Sequence, residues 1–152
     1  MKQNGANLKH GQILGYAHAS AFKERAAYDW STESSVYVSQ NAHAFGIGRL
    51  LYEALERTLR AQNIANMNAC IACGDDEYLN DASVRFRERM GFRFVGRFQR
   101  CAYKLGRWYD MAWMQKPIGE HLQNQPAMRL LRALEMKFAR ARALKFNLKE
   151  KL

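Results

Sequence analysis

The chain has 152 residues, 48% of them apolar, with a formal net charge of +10. This length holds one domain with a hydrophobic core. No apolar run approaches the ~20 residues that cross a bilayer, and residues 1–10 are polar with no apolar signal core, which reads as a cytoplasmic protein.

The elements follow in chain order. Residues 12–22 are apolar and aromatic and predict a strand, and 23–29 form a polar connection. Residues 30–39 predict a second strand, with Val36 and Val38 on one face and Tyr37 on the other. A loop over 40–45 leads into a helix over 46–62. There Ile47, Leu50, Leu51, Ala54, Leu55, Thr58 and Leu59 trace the face expected to be buried. Residues 66–73 predict a short strand and 74–79 an acidic loop. Asn80 or Asp81 can cap a short helix to Met90, which Gly91 stops. Two strands, 92–103 and 108–115, flank a turn. Their aromatic residues Phe92, Phe94, Phe98, Trp108 and Trp113 alternate as strand core does. The order strand, strand, helix, strand, helix, strand, strand predicts an α/β fold with a mixed sheet. The expected division is a domain over 1–118 and a tail over 119–152.

The tail differs in character. Residues 125–152 hold six of the ten net positive charges, and Met128, Leu131, Leu134, Phe138 and Leu144 predict a basic amphipathic helix over 125–151. Such a helix suits contact with nucleic acid or an anionic membrane, although charge runs are more often solvated faces. Cys70 and Cys73 spell CxxC without a second ligand pair, so all three cysteines read as buried structural thiols. The histidines are scattered, and no metal site is expected.

The sharpest local signal is His43-Ala44-Phe45-Gly46-Ile47-Gly48, between a strand and a strong helix. Glycine lets a ligand approach the backbone, and the first N–H groups of a helix point outward unpaired. Together they can cradle a pyrophosphate. The string is neither a P-loop nor a complete dinucleotide fingerprint, whose third glycine is Leu51 here.

Residues 27–39 resemble the central strand of phosphinothricin acetyltransferases. Residues 43–48 resemble the acetyl-CoA loop of the GNAT superfamily. Residues 80–85 and 90–92 resemble the helix over the pantetheine arm, and 103–110 the closing hairpin. The resemblance runs from about Gly11 to Ile118.

It implies acetyl transfer from acetyl-CoA to the amino group of a small amino-acid-like molecule. Glu33 matches the base that takes the amine proton. Backbone N–H groups of Val36, Tyr37 and Val38 would hold pantetheine and the developing oxyanion. Residues Gly46 to Arg49 would hold pyrophosphate, with His43, Ala44 and Phe45 of the same loop also binding the cofactor, and Asn80 would hold the cofactor arm. Lys23, Arg25 and Tyr28 match positions that bind the acidic groups of the substrate.

Three positions depart from the pattern, the first being His43, which opens the loop where Gln or Arg is usual. Tyr109 stands where a second catalytic histidine is found, and Tyr109 and Tyr103 are the remaining candidate acids. Arg87 stands where a tyrosine often protonates the leaving thiolate. The resemblance also places a strand and two helices before this chain's first strand. Residues 12–22 should then find their outer neighbour in that upstream segment, and the edge near Gln12 should favour a homodimer.

Overall fold

The computed structural model describes residues 3–9, 12–73 and 82–130. Six strands form one mixed sheet in the order β1-β2-β3-β4-β6-β5. They are β1 (Gln3–Lys9), β2 (Gln12–Ala21), β3 (Ser31–Val38), β4 (Asn66–Cys73), β5 (Arg93–Lys104) and β6 (Arg107–Pro117). β3 and β4 are parallel, joined by helix α1 (Ile47–Ala61), and the other neighbours are antiparallel. A short helix, α2 (Ala82–Arg89), precedes β5.

α1 is amphipathic and turns Ile47, Leu51, Tyr52, Leu55 and Leu59 into the core. Burying each large apolar side chain contributes roughly 1.5–3 kcal/mol. The buried stripe differs from the expected one: Leu50 is exposed, and Tyr52 lies inside at 1% exposure. Beneath α1, alternate sheet residues Ala17, Ala19, Met67, Ala69, Ala112 and Met114 close the core. Phe86 and Met90, from α2 and its end, pack against the same cluster. The described helices therefore cover one face of the sheet.

The opposite face carries Tyr16, His18, Phe22, Tyr37 and Trp113. Tyr16 and Tyr37 stack at 5.0 Å, and Phe22 meets Trp113 edge-on at 5.6 Å. The expected aromatic core of the last hairpin is thus only partly core. Phe92 is buried and Trp113 half-buried, but Phe94, Phe98 and Trp108 are exposed. Alternation reports the two-residue period of a strand; whether a face is covered depends on the layer above it.

Three further expectations are corrected. The outer neighbour of β2 is the chain's own β1, paired from Gln3↔Ala19 to Lys9↔Gln12. A polar segment offers as many backbone donors and acceptors as an apolar one, and an edge strand tolerates polar side chains. Cys73 is buried, but Cys70 is half-buried and Cys101 exposed. Residues 121–130 contain no helix, and 131–151 lie outside the described residues. Near Pro126 the backbone bonds instead to Trp30, just before β3, and to Gln62 and Asn63, just after α1. Trp30 Nε1 donates to Pro126 O (2.7 Å), Asn63 Nδ2 to Ala127 O (2.8 Å) and Arg129 N to Gln62 O (2.9 Å).

Candidate functional site

The parallel pair β3/β4 is short. It registers Ser31↔Asn66, Thr32↔Met67 and Glu33↔Asn68 and no further. Beyond Glu33 the two strands part, although β3 continues to Val38 and β4 to Cys73. Val36 and Val38 remain paired to β2 on their other side. Their free side faces a cavity of about 740 Å³, lined also by His43, Gly46, Gly48 and Arg49 and, across it, by Ala82, Ser83, Phe86 and Arg87.

The parting is braced from within. Tyr52 Oη lies 2.9 Å from Ser34 Oγ, and Ser34 Oγ donates to Asn68 O (3.0 Å). Asn68 Nδ2 in turn donates to Thr32 O (3.2 Å). Side chains thus satisfy groups next to the point where the ladder stops.

A 3-10 turn over Gln40–Phe45 carries the chain from β3 to α1. Gly46 has φ +69°, a left-handed conformation that costs other residues strain, and it caps α1 without any side-chain hydrogen bond. The first N–H groups of α1 are therefore uncapped and stand at the cavity. His43 Nε2 lies 3.1 Å from Val38 O and ties the turn to β3.

The sequence-predicted cofactor residues divide as follows. Val36, Val38, His43, Gly46, Gly48 and Arg49 share this one cavity. Arg49 is exposed and pairs with Glu53 at 2.8 Å. Ile47 belongs to the core, Phe45 is exposed, and the Tyr37 side chain lies on the opposite face of the sheet. Ala44 falls within the turn. Asn80 lies outside the described residues.

A second cavity, about 680 Å³, opens on the other face and is lined by Phe22, Lys23, Tyr28, Ser31, Asn68, Arg97, Phe98, Trp113 and Gln115, among others. Lys23 Nζ sits 5.2 Å from the Phe22 ring centroid, and Tyr28 meets Phe22 edge-on at 5.9 Å. Arg25 is exposed and does not line it. Glu33 is half-buried. It follows the lining residue Ser31 by one full strand period and pairs in register with the lining residue Asn68. The carboxylate-bearing residue thus stands where the two strands separate, between a cavity on each face.

Tyr109 is elsewhere. Glu33 aligns through Asn68 with Gln115, and Tyr109 lies six residues farther along β6. At about 3.3 Å per residue that is roughly 20 Å along the strands. The structure does not bring these two candidate catalytic residues together. Tyr52, absent from the sequence reading of the site, is prominent in it, and so is Arg87, which that reading named only as a departure from the family pattern. Tyr52 braces the parting, and Arg87 is buried at 7% exposure in the cavity wall. Tyr52 sits next to Leu51 and three before Leu55, so its place on the buried stripe was available from spacing alone.

Cys70 lies beyond Asn68 on β4. Burial pushes its thiol up to about 11, with Glu33 adding to the rise, so the thiolate is scarce near neutral pH. Among the described residues no group of three His, Cys, Asp or Glu side chains could hold a metal ion, and no helix is long and apolar enough to cross a membrane.

The Acetyltransferase (GNAT) domain family matches residues 6–113. The chain belongs to the GNAT acetyltransferase family. Within that family it is 40% identical over 107 residues to a phosphinothricin N-acetyltransferase of Streptomyces coelicolor, covering 70% of this chain and 60% of the relative. It is 34% identical over 105 residues to an L-methionine sulfoximine/L-methionine sulfone acetyltransferase of Pseudomonas aeruginosa, covering 69% and 58%. A GNAT phosphinothricin acetyltransferase of Sinorhizobium meliloti, solved in complex with AcCoA, superposes with a TM-score of 0.69 at 34% identity. It covers 80% of this chain and 64% of that one. The GNAT chain described here thus spans less than two thirds of these relatives.

Proposed function

We propose that this chain transfers the acetyl group of acetyl-CoA to the amino group of a small amino-acid-like substrate of the phosphinothricin or methionine sulfoximine kind. The observation that carries the reading is the early parting of β3 and β4, with an uncapped helix N-terminus at one end and Glu33 at the other. A pyrophosphate suits the turn at Gly46 to Arg49, where outward N–H groups and the helix dipole favour an anion. An extended pantetheine arm suits the free edge of Val36 to Val38, because a strand edge offers N–H and C=O groups in a row. Its thioester then reaches the level of Glu33.

An α-amino group has a reference pKa of about 7.7–8.0 and must lose a proton before it can attack a thioester. Glu33 is placed to accept that proton, directly or through one water. Lys23 is placed on the cavity of the opposite face to hold the carboxylate or phosphinate of the acceptor, with the Tyr28 and Phe22 rings beside it. The test is acetyl-CoA-dependent acetylation of phosphinothricin and of methionine sulfoximine by the purified chain. Turnover of either supports the proposal, and no transfer to any amino-acid-like amine refutes the substrate class.

One observation favours a second reading. The acceptor-side cavity is walled by exposed aromatic residues, Phe98 at 59% and Tyr28 at 38%. A wall open to water orients an amine poorly, and orientation supplies much of the rate of such a transfer. On this reading the chain binds CoA and a second chain, another copy in a homodimer, completes the acceptor side. Calorimetry with CoA beside a turnover assay separates the two, since binding without turnover supports the second. The expected contact of the basic tail with nucleic acid or anionic lipid falls on residues mostly outside those described.

A further inference from the structure

Arg87 is the only charged side chain that is buried among the described residues. Its guanidinium lies over the Tyr52 ring, 5.7 Å from the centroid, and its Nε has no hydrogen-bond partner. No carboxylate among the described residues pairs with it. The acids that line the same cavity are already engaged: Glu53 by Arg49 at 2.8 Å, and Glu56 by Arg60 at 2.7 Å and Lys116 at 2.6 Å. A guanidinium cannot escape burial by losing its proton. A ring face offsets only part of the cost of taking it out of water. Among the described residues the cavity wall is therefore short of one anion.

The surroundings of Arg87 locate that anion along the cleft. Tyr52, under the guanidinium, bonds to Ser34, the residue that follows Glu33. The charge of Arg87 also reaches the Cys70 thiol, on the strand that parts from β3. Gly48 in the turn faces Phe86 instead, whose ring carbon is 3.4 Å from where a Cβ would sit. Arg87 thus serves the reacting end of the cleft, while the helix N-terminus serves the other.

We propose that Arg87 binds the cofactor sulfur as a thiolate. The inference rests on the acetyl-CoA reading above and adds a residue to it. In the transfer, the ammonium proton leaves through Glu33 to solvent, the neutral nitrogen forms a bond to the acetyl carbonyl carbon, and the second nitrogen proton passes to Glu33 as the amide forms. The carbon–sulfur bond then breaks, and its electron pair stays on sulfur. Arg87 donates hydrogen bonds to that sulfur and transfers no proton; the thiolate takes one from water after release. A charge-assisted contact of this kind acts on the departing sulfur more than on the neutral thioester, so it favours the transition state.

The test compares CoA with desulfo-CoA, in which hydrogen replaces the thiol, by calorimetry on the full chain, with the ultraviolet thiolate band recorded in parallel. An ordinary thiol has a pKa of about 8.5. Near neutral pH the unaltered chain should bind CoA as the thiolate, about tenfold or more tighter than desulfo-CoA. Arg87→Met should abolish both the preference and the thiolate band while leaving desulfo-CoA affinity within about twofold. Arg87→Lys should restore part of both. Equal binding of the two ligands by the unaltered chain overturns the proposal without needing any variant. Equal loss of both ligands in a folded Arg87→Met chain also overturns it. If neither ligand binds the unaltered chain, the acetyl-CoA reading itself falls.

Discussion

Tyr52 offers the cleanest test of how the cleft is held. Its ring meets Phe86 at 5.9 Å and Phe92 at 5.7 Å, both edge-on, and its hydroxyl bonds to Ser34. Tyr52→Phe removes only the hydroxyl. Ser34 Oγ keeps its own donation to Asn68 O, so one buried acceptor loses one bond, at a cost of about 1 kcal/mol. Tyr52→Ala removes the ring between two helices and the sheet, at a cost of about 3–5 kcal/mol. For a chain of this size each kcal/mol shifts Tm by roughly 2–4 °C. The phenylalanine variant should therefore melt about 2–4 °C lower and the alanine variant about 6–20 °C lower, read by circular dichroism. If Tyr52→Ala melts within about 1 °C of the parent, the ring is not packed as described. If the two variants fall equally, the hydroxyl chain and not the ring braces the strands.

Glu33→Gln should lower kcat about 10²–10⁴-fold with little change in CoA affinity, measured by turnover and calorimetry on the same preparation; weakened CoA binding would mean the carboxylate shapes the cleft instead. Gly15→Ala should destabilise by about 1–3 kcal/mol in urea titration, because its Cβ would lie 2.7 Å from the Tyr37 carbonyl oxygen. Gly48→Ala meets only ordinary contacts and should be neutral or stabilising by up to about 1 kcal/mol. Burial pushes the Glu56 carboxyl up, but hydrogen bonds from Lys116 and Arg60 outweigh it and hold it below its ordinary value. Its contribution to stability is therefore present above the unfolded carboxylate value of about 4.3 and lost as pH falls through the lower folded value. Acid titrations of the parent and of Glu56→Gln should converge in that window, and parallel curves would refute the pairing.

Much of the frame was legible. The strand that became Asn66–Cys73 and the helices that became Ile47–Ala61 and Ala82–Arg89 announce themselves by period and by glycine and asparagine punctuation. The Gly46 turn was legible because a left-handed residue before a helix calls for glycine. The Gln3–Lys9 strand was not, since its backbone pairs with β2 whatever its side chains are. Nor could period show that Phe98 and Trp108 would lie open. The separation of β3 from β4 is a long-range register, set where Ser34, Tyr52 and Asn68 meet from three elements. Nor was the distance between Glu33 and Tyr109 legible, because register and not sequence offset sets their spacing.

Residues 126–129 lash onto Gln62 and Asn63, just past the carboxyl end of α1, and onto Trp30, just before β3. The helix is 15 residues long, so about 22 Å of rod separates this fastening from the Gly46 turn. Residues 126–129 are thus held at the end of this rod farthest from the turn.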